Sequence, residues 1–288
     1  MMTDLAISPC PNDTYIFYHM IHDPDLRGPL LGTDGGNLTV ALEDVEELNR
    51  RAIEERRHAI TKLSYYALAV LDESYRLLEP GGALGQGCGP LLITGRQTPE
   101  HLPPEATARA LSERPRILVP GRWTTAFLLL QLFLRHAGVD PDQVEFVPTR
   151  YDRIMPALME GSEDFGIIIH EDRFTYRRNG LFALQDLGAW WETDTGLPIP
   201  LGGIAVRRDL GDAFAERAAQ AVRASLGRAR ADMQPAWPYI KEHAQALEDD
   251  VIQSHIDLYV NDYSLDPGEH GMNAIRTLFD RAKAAGLA

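Results

Sequence analysis

The chain has 288 residues, enough for one large or two medium-sized domains. Its formal net charge of −14 disfavours nucleic acid and anionic membranes as bulk partners, although a site within it can still be locally positive. No apolar run approaches the roughly 20 residues of a membrane helix, and the N-terminus lacks the features of a signal peptide. We therefore expect a cytoplasmic protein.

Strand-like and helix-like segments alternate through most of the chain. The predicted strands are residues 5–8, 38–42, 59–63, 116–119, 144–147, 165–169 and 182–187. The predicted helices among them are residues 14–21, 44–57 and 124–137, with a short one opening at Ser64. After Asp209 only helices are expected. Strands separated by helices are typical of an α/β protein with a parallel sheet and helices on both faces.

Two apolar segments, residues 88–96 and 200–208, have the character of strands that cross between domains. Both begin with Gly and Pro residues and end in Arg, and they bracket a complete α/β unit. We therefore predict a large lobe of residues 1–92 plus 204–288 and a small lobe of residues 93–203. A ligand site would lie in the cleft between the lobes. A single continuous α/β domain is the alternative.

The segment DFGIIIHEDRFTY contains the strongest candidate for chemistry. The apolar run Phe165 to Ile169 is typical of a buried parallel strand, and His170 follows it directly. Ligands of open α/β sheets bind at the carboxyl ends of strands, and histidine is suited to proton transfer near neutral pH. A structural histidine hydrogen-bonded to its own loop is the alternative.

The loop SPCPNDTY follows the first predicted strand and precedes a helix. Asn12 or Asp13 is placed to cap that helix. The free N–H groups of the helix, together with Ser8 and Asn12, are suited to binding a polar ligand group. A capped tight turn without a ligand is the alternative.

The loop GRWTTA has the same position relative to the next strand and helix. Backbone N–H groups and the hydroxyls of Thr124 and Thr125 are suited to a carboxylate. The Walker A pattern is absent, so a nucleotide phosphate is not indicated. Simple helix capping is again the alternative.

Two further polar residues are weaker candidates. Ser64, in TKLSYYAL, stands at a strand end and a helix start, where its hydroxyl can cap the helix, contact a ligand or do both. No G-x-S-x-G elbow surrounds it, which disfavours a nucleophile. Asn49 lies in a helix-like segment, where asparagine is usually solvated. Lys62, inside a predicted strand, receives no role.

The remaining chemistry-bearing residues indicate no metal site. The sequence has no CxxC pair and no HExxH spacing. Cys10 sits between two prolines in a candidate cleft loop, where a packed thiol is favoured over a reactive one. Trp190 and Trp191 are interpreted either as a wall of the cleft or as core residues.

Five motifs in this order resemble the 1,4-dihydroxy-6-naphthoate synthase family of the futalosine route to menaquinone. They are SPCPNDTYIF, TKLSYYAL, GRWTTAFLLL, IIIHEDRFTY and GLPIPLGGIAVRR, and the resemblance covers about residues 4–210. It implies an α/β, two-lobed, type 2 periplasmic-binding-protein-like fold with two crossover strands and a helical C-terminal tail. It also implies a lyase, without cofactor or metal, that converts cyclic dehypoxanthinyl futalosine to 1,4-dihydroxy-6-naphthoate. Base-initiated carbon–carbon cleavage and aromatisation would drive that conversion.

The resemblance also assigns roles to residues of this chain. The catalytic histidine of the family matches His170, and its carboxylate-binding pair matches Thr125 and Ala126. Its polar cleft residues correspond to Ser64 and, by position alone, to Asn49. The expected partner is a small-molecule carboxylate substrate, and the sequence makes no prediction about oligomeric state.

Two alternatives to this function stay open at the level of sequence. One is chorismate dehydratase, an enzyme of the same fold class and pathway. The other is a non-catalytic cytoplasmic binding protein for a small carboxylate, because a fold alone does not imply a function.

Overall fold

The structure is a computed structural model that describes residues 3–31, 37–111, 115–245 and 248–288. Its strands are β1 Thr3–Ile7, β2 Leu38–Leu42, β3 Ile60–Ser64, β4 Tyr75–Leu77, β5 Ala83–Gly85, β6 Leu91–Thr94, β7 Arg116–Val119, β8 Glu145–Pro148, β9 Phe165–Ile168, β10 Phe182–Asp186 and β11 Ile199–Arg207. Its helices are α1 Pro11–His22, α2 Pro24–Leu31, α3 Val45–Glu55, α4 Tyr65–Val70, α5 Pro104–Ala110, α6 Thr125–His136, α7 Ile154–Met159, α8 Asp172–Thr175, α9 Leu187–Thr195, α10 Asp212–Ala231, α11 Trp237–His243, α12 Asp249–Tyr259, α13 Asp262–Leu265 and α14 Gly268–Ala284.

The strands form two mixed sheets. The first sheet has the order β2-β1-β3-β11-β4, with β5 also paired to β11, and the second has the order β10-β6-β9-β7-β8. In each sheet three neighbouring strands are parallel: β2, β1 and β3 in the first, and β8, β7 and β9 in the second. The carboxyl ends of these two parallel groups are where a ligand site is expected.

The prediction of wholly parallel pairing is wrong for the strands near the crossings. β11 runs antiparallel to β3, β4 and β5, and β6 runs antiparallel to β9 and β10. β6 and β11 carry the chain from one sheet to the other, so no helical crossover within a sheet forces them to be parallel. The prediction also omitted β4 and β5, which have three residues each and show too little periodicity to be recognised.

The two sheets give the molecule two sides. The first-sheet side comprises β1–β5, β11, α1–α4 and α10–α14, and the second-sheet side comprises β6–β10 and α5–α9. The predicted crossings contain β6 and most of β11, while the exact lobe boundaries at residues 92 and 203 stay a proposal. The helices expected after Asp209 are present, and α10 packs on α1 and α2 while α14 packs on α4 and β11.

Within the described ranges, no helix combines the length and the apolar composition that crossing a bilayer requires. The helix α6 is strongly apolar, but it has 12 residues, and its side chains pack in the core between the two sheets.

A close backbone contact fixes the first crossing against the second-sheet side. Gly89 precedes β6, and a Cβ atom built on it would lie 2.3 Å from the Cα atom of Gly188, in the first turn of α9. Real Cβ atoms do not approach other atoms this closely, so glycine is required at both positions. The neighbouring residues Cys88 and Pro90 line the central cavity, and the contact therefore also sets the shape of that cavity.

We predict that Gly89→Ala lowers the free energy of unfolding by about 1–3 kcal/mol, because the added methyl group overpacks the crossing. The control is Gly227→Ala, in the exposed middle of α10, where a Cβ atom meets nothing within 4 Å. It should raise stability by about 0.5–1 kcal/mol through helix propensity. Urea unfolding measures the free energy of unfolding of both variants. The same change in Gly89→Ala as in Gly227→Ala would contradict the close contact.

Candidate active site

A cavity opens between the two sides of the molecule, and it holds about 630 Å³ of empty space when its open mouth is included. It lies at the carboxyl ends of parallel strands, with Ser8 after β1 and Ser64 at the end of β3 on one wall. Of the site residues predicted from the sequence, the structure brings seven to its lining: Ser8, Asn12, Ser64, Thr124, Thr125, Ala126 and His170. Asn49 is not among the lining residues and lies behind Ser64.

His170 follows β9 and projects from a strained turn. Its φ of 56° is in the left-handed region, which non-glycine residues adopt rarely and which recurs at active sites. Its ring lies edge-on to Tyr151, with centroids 5.0 Å apart. It is nearly parallel to the ring of His255, with centroids 6.1 Å apart. The imidazole is therefore held between two aromatic side chains while it lines the cavity.

The electrostatic surroundings keep the His170 imidazole neutral. Burial lowers its pKa to about 4, the carboxylate of Asp13 raises the pKa, and the ammonium of Lys62 lowers it. Desolvation dominates, because a protonated ring would lose more hydration than the neutral one. A neutral imidazole at physiological pH has one nitrogen free to accept a proton.

Cys10 contacts the other nitrogen of that ring. Its Sγ lies 3.6 Å from Nδ1 of His170, and burial raises the pKa of the thiol well above its usual range. In the tautomer that leaves Nε2 free as a base, Nδ1–H donates to this sulfur. Nε2 has no hydrogen-bond partner among the described residues. Cys10 is therefore a packed, neutral thiol, as expected, in contact with the candidate base.

Asp13 organises the loop after β1. One oxygen, Oδ1, accepts from Nζ of Lys62 at 2.6 Å and from Nδ2 of Asn12 at 2.9 Å. The other, Oδ2, accepts from the backbone N–H and the hydroxyl of Ser8. The predicted capping role of Asn12 or Asp13 is wrong: the N-cap is Cys10, and both residues lie buried inside the first turn of α1, where the ion pair draws them inward.

Ser64 and Asn49 form a buried pair. Asn49 donates from Nδ2 to the Ser64 hydroxyl at 3.0 Å and accepts from the Ser64 backbone N–H at 2.9 Å. The expected solvated Asn49 is therefore wrong, since it is fully buried. The Ser64 side chain does not cap α4. Its hydroxyl oxygen already accepts from Asn49, so its proton can be donated to a ligand in the cavity.

The GRWTTA loop presents the beginning of α6 to the cavity. The Thr124 hydroxyl caps the helix by accepting from Phe127 N–H. The Thr125 hydroxyl donates to the Leu201 carbonyl at 2.7 Å and accepts from the Tyr66 N–H at 3.3 Å. Both hydroxyls are thus engaged within the protein. The first-turn N–H groups of Thr125 and Ala126, which have no partner within the helix, are the available anion donors.

Glu46 forms hydrogen bonds between the two sides of the molecule. The sequence analysis did not single it out. Its carboxyl group accepts from the backbone N–H of Arg122 at 2.7 Å and from that of Trp123 at 3.1 Å. Burial raises the pKa of Glu46 to about 7. Gly121 has a φ of 154°, and a Cβ atom there would lie 2.2 Å from the Glu46 carboxyl carbon. The glycine therefore lets the GRWTTA loop close onto α3.

Three other residues near His170 were also missed. His255 and Tyr259 lie on α12, about 85 residues further along the chain than His170, and Tyr151 lies in a 3₁₀ turn after β8. The amphipathic pattern of α12 predicts a packed helix and gives no sign of a cavity. Trp190 and Trp191, which the sequence allowed as a wall of the cleft, do not line the cavity. Trp191 is fully buried, and its indole N–H donates to the Pro198 carbonyl.

The described residues contain no group of three or more His, Cys, Asp or Glu side chains arranged to hold a metal ion. The cavity presents an imidazole, a serine hydroxyl, a helix N-terminus and a lysine that is paired with a buried aspartate. These groups suit proton transfer on a substrate that carries a carboxylate.

The fold is that of periplasmic binding proteins. The structure resembles the periplasmic aliphatic sulphonate binding protein SsuA from Escherichia coli with a TM-score of 0.66 at 12% identity, covering 100% of this chain and 88% of that one. It resembles protein AF1704 from Archaeoglobus fulgidus with a TM-score of 0.84 at 32% identity, covering 100% and 98%.

The chain belongs to the menaquinone biosynthesis family, whose model matches residues 3–284. It is 46% identical to the 1,4-dihydroxy-6-naphtoate synthase of Thermus thermophilus, over 99% of this chain and 95% of the relative. It is 42% identical to the enzyme of the same name from Streptomyces coelicolor, over 98% and 93%. The chain is therefore an enzyme of this family, and the lyase class is consistent with that membership.

The Glu46 contact predicts a pH dependence of stability. A pKa raised from 4.5 to about 7 means that the folded protein holds this proton more tightly than the unfolded chain does. The contribution of Glu46 to the free energy of unfolding is complete below pH 4.5 and is lost as the pH rises through 7. Glu46→Gln, which mimics the protonated acid, should lose less stability than the wild type between pH 4.5 and 7.

Urea unfolding midpoints of both proteins across this pH range measure the difference. Glu55→Gln, at the exposed end of α3, is the matched control and should follow the wild type. Parallel curves for Glu46→Gln and the wild type would show that the buried carboxyl does not titrate as described.

Proposed function

We propose that this enzyme converts cyclic dehypoxanthinyl futalosine to 1,4-dihydroxy-6-naphthoate. The carrying observation is the neutral imidazole of His170, with Nε2 unpartnered among the described residues, in the same cavity as an N-terminal helix turn that can bind a carboxylate. The names of the two curated relatives support the product, and the resemblance in motif order described above supports the substrate. A cytoplasmic location stays a prediction.

The substrate carboxylate is proposed to bind at the start of α6. The N–H groups of Thr125 and Ala126 and the positive end of the 12-residue helix favour an anion there. Ser64, on the opposite wall, can add a hydroxyl donor. This placement directs the remainder of the substrate along the cavity toward His170.

His170 is proposed to act as the general base. Its Nε2 removes the proton of a hydroxyl on the sugar-derived ring, and the resulting oxyanion forms a carbonyl as the adjacent carbon–carbon bond breaks. The electron pair of that bond passes into the conjugated ring system, and the imidazolium returns its proton as the small fragment leaves. Aromatisation makes the sequence favourable. General acid–base assistance of this kind contributes about 10²–10⁴-fold to rate.

Incubation with the cyclic substrate tests the proposal directly. We expect loss of the substrate and appearance of an aromatic product that matches authentic 1,4-dihydroxy-6-naphthoate by mass and absorbance. Chorismate serves as the second substrate. Dehydration of chorismate, or binding of either compound without turnover, would replace this proposal with one of the alternatives considered from the sequence.

Replacement of His170 should separate chemistry from binding. His170→Asn should reduce kcat by about 10²–10⁴-fold, because no base remains at that position, while KM changes little. His136→Asn, a half-exposed histidine outside the cavity, is the control and should retain wild-type kinetics. Turnover near the wild-type rate in folded His170→Asn would remove the base assignment.

Replacement of Ser64 should act on binding. Ser64→Ala should raise KM about 10-fold, the loss expected for one hydrogen bond to a charged group, with a smaller effect on kcat. The control is Ser254→Ala, on the exposed surface of α12, whose hydroxyl donates to a carbonyl of its own helix. Steady-state kinetics measure both variants, and an unchanged KM for Ser64→Ala would show that Ser64 makes no hydrogen bond to the substrate carboxylate.

A further inference from the structure

A buried histidine lies beside the candidate base. His255, on α12, is fully buried, and its ring is within 19° of parallel to that of His170. The ring also packs against Tyr259, with centroids 4.5 Å apart. Nothing in the proposed reaction uses His255 directly, yet a polar ring in such a position needs partners for both of its nitrogens.

The hydrogen-bond network fixes which His255 nitrogen carries the proton. Nδ2 of Asn12 donates to the carboxylate of Asp13, which can only accept, so the amide oxygen of Asn12 points the other way. That oxygen lies 3.0 Å from Nε2 of His255. An amide oxygen cannot donate, so Nε2 carries a proton and Nδ1 of the neutral ring has a lone pair.

Glu171 faces that lone pair. Its Oε2 lies 3.7 Å from Nδ1 of His255, and these two buried atoms have no hydrogen-bond partner among the described residues. A carboxylate opposite a lone pair would repel it. Two protonation states of the pair avoid this repulsion. Either a neutral acid donates to a neutral imidazole, or a carboxylate is paired with an imidazolium.

The surroundings of the pair favour the neutral arrangement. The groups that face Glu171 or act on it electrostatically are the imidazole of His255, the acidic side chains of Asp152 and Asp172, and the neutral Cys10, Tyr151 and Tyr259. Within the described ranges, no Lys or Arg lies within 4 Å of its carboxyl group. Burial raises the pKa of Glu171, and burial together with the neighbouring His170 and Lys62 lowers the pKa of His255.

We propose that Glu171 and His255 are positioning residues for His170, with Glu171 a neutral acid that donates to Nδ1 of His255. This hydrogen bond requires the 3.7 Å separation to shorten to about 3 Å. His255 is then held at both nitrogens, by Glu171 on one side and Asn12 on the other. Its fixed, uncharged ring supports the imidazole of His170 in the orientation that proton transfer needs. This inference rests on the proposed role of His170 as the base.

Neutrality of the pair matters for the base itself. A cation on His255 would oppose protonation of the ring stacked beside it, and would weaken His170 as a proton acceptor. Ionisation of Glu171 would leave a carboxylate facing the Nδ1 lone pair and would release the ring. Because the pKa of Glu171 is raised, the neutral form is present at low pH and is lost as the pH rises through that pKa.

The first test is the variant Glu171→Gln. Its amide N–H₂ is a permanent donor at the same place, so the variant should keep kcat within about threefold of the wild type. The decline of kcat on the alkaline side of the wild-type profile should be reduced or absent. A loss of more than about 30-fold in kcat with an unchanged melting temperature would mean that Glu171 acts as a carboxylate, and an alkaline limb identical to that of the wild type would also overturn the proposal.

The second test is the variant His255→Phe, which keeps a ring beside His170 and removes both hydrogen bonds. It should lower kcat about 10- to 100-fold with little change in KM, because misplacement acts on the chemical step. His243→Phe, at the end of α11, is the control for replacement of a histidine outside the cavity. Wild-type kcat in His255→Phe would overturn the positioning role.

The third measurement does not depend on turnover, and so separates this inference from the proposed function. Nitrogen NMR of the ¹⁵N-histidine-labelled full-length protein, with His255→Phe used for assignment, should show His255 still neutral and protonated at Nε2 below pH 6.5, where an ordinary imidazole is charged. An imidazolium signal, or protonation at Nδ1 alone, contradicts the inference even if the enzyme has a different substrate. A neutral Nε2–H ring with no turnover of the cyclic substrate would contradict only the proposed function.

Discussion

The buried ion pair between Lys62 and Asp13 is the interaction on which the rest of the site depends. Lys62 lies in β3, a strand whose residues are all buried, and Asp13 is completely buried in the first turn of α1. Breaking such a pair by removing one partner typically costs about 3–5 kcal/mol, because the other charge stays buried. The ion pair therefore holds the loop after β1 in one conformation, and that loop supplies Ser8 and Asn12 to the cavity and the Cys10 thiol to His170.

A chain of contacts that starts at this pair determines the orientation of the candidate base. Asp13 orients the amide of Asn12, and Asn12 orients His255, whose ring lies beside His170. The second-sheet side is joined to this arrangement by contacts across the cavity, chiefly Glu46 with the backbone of Arg122 and Trp123. His170 follows a strand of the second sheet, whereas Asp13, Asn12 and His255 belong to the first-sheet side. They meet only because the two sides are closed upon each other.

The sequence was sufficient for local features and insufficient for those that depend on distant contacts. His170 could be identified because a histidine ends an apolar strand, and the GRWTTA loop because a strand, a glycine and two threonines precede an apolar helix. The antiparallel direction of β11 could not be identified, because pairing partners are set by the path of the chain between sheets. Glu46 resembled an ordinary acidic residue in the first turn of a helix, and its partners lie more than 70 residues away. His255 was hidden in the same way by the amphipathic pattern of α12.

The central claim is that the folded protein holds the His170 imidazole neutral as the base of the reaction. The pH dependence of kcat/KM tests it most directly, because this quantity reports the ionisation of groups in the free enzyme. With burial lowering the pKa of His170 to about 4, the acid limb should break near pH 4, with no break near the ordinary histidine value of 6.5. An acid break at pH 6.5 or above that disappears in His170→Asn would contradict the account, since it would mean that the ring is charged through much of the working range.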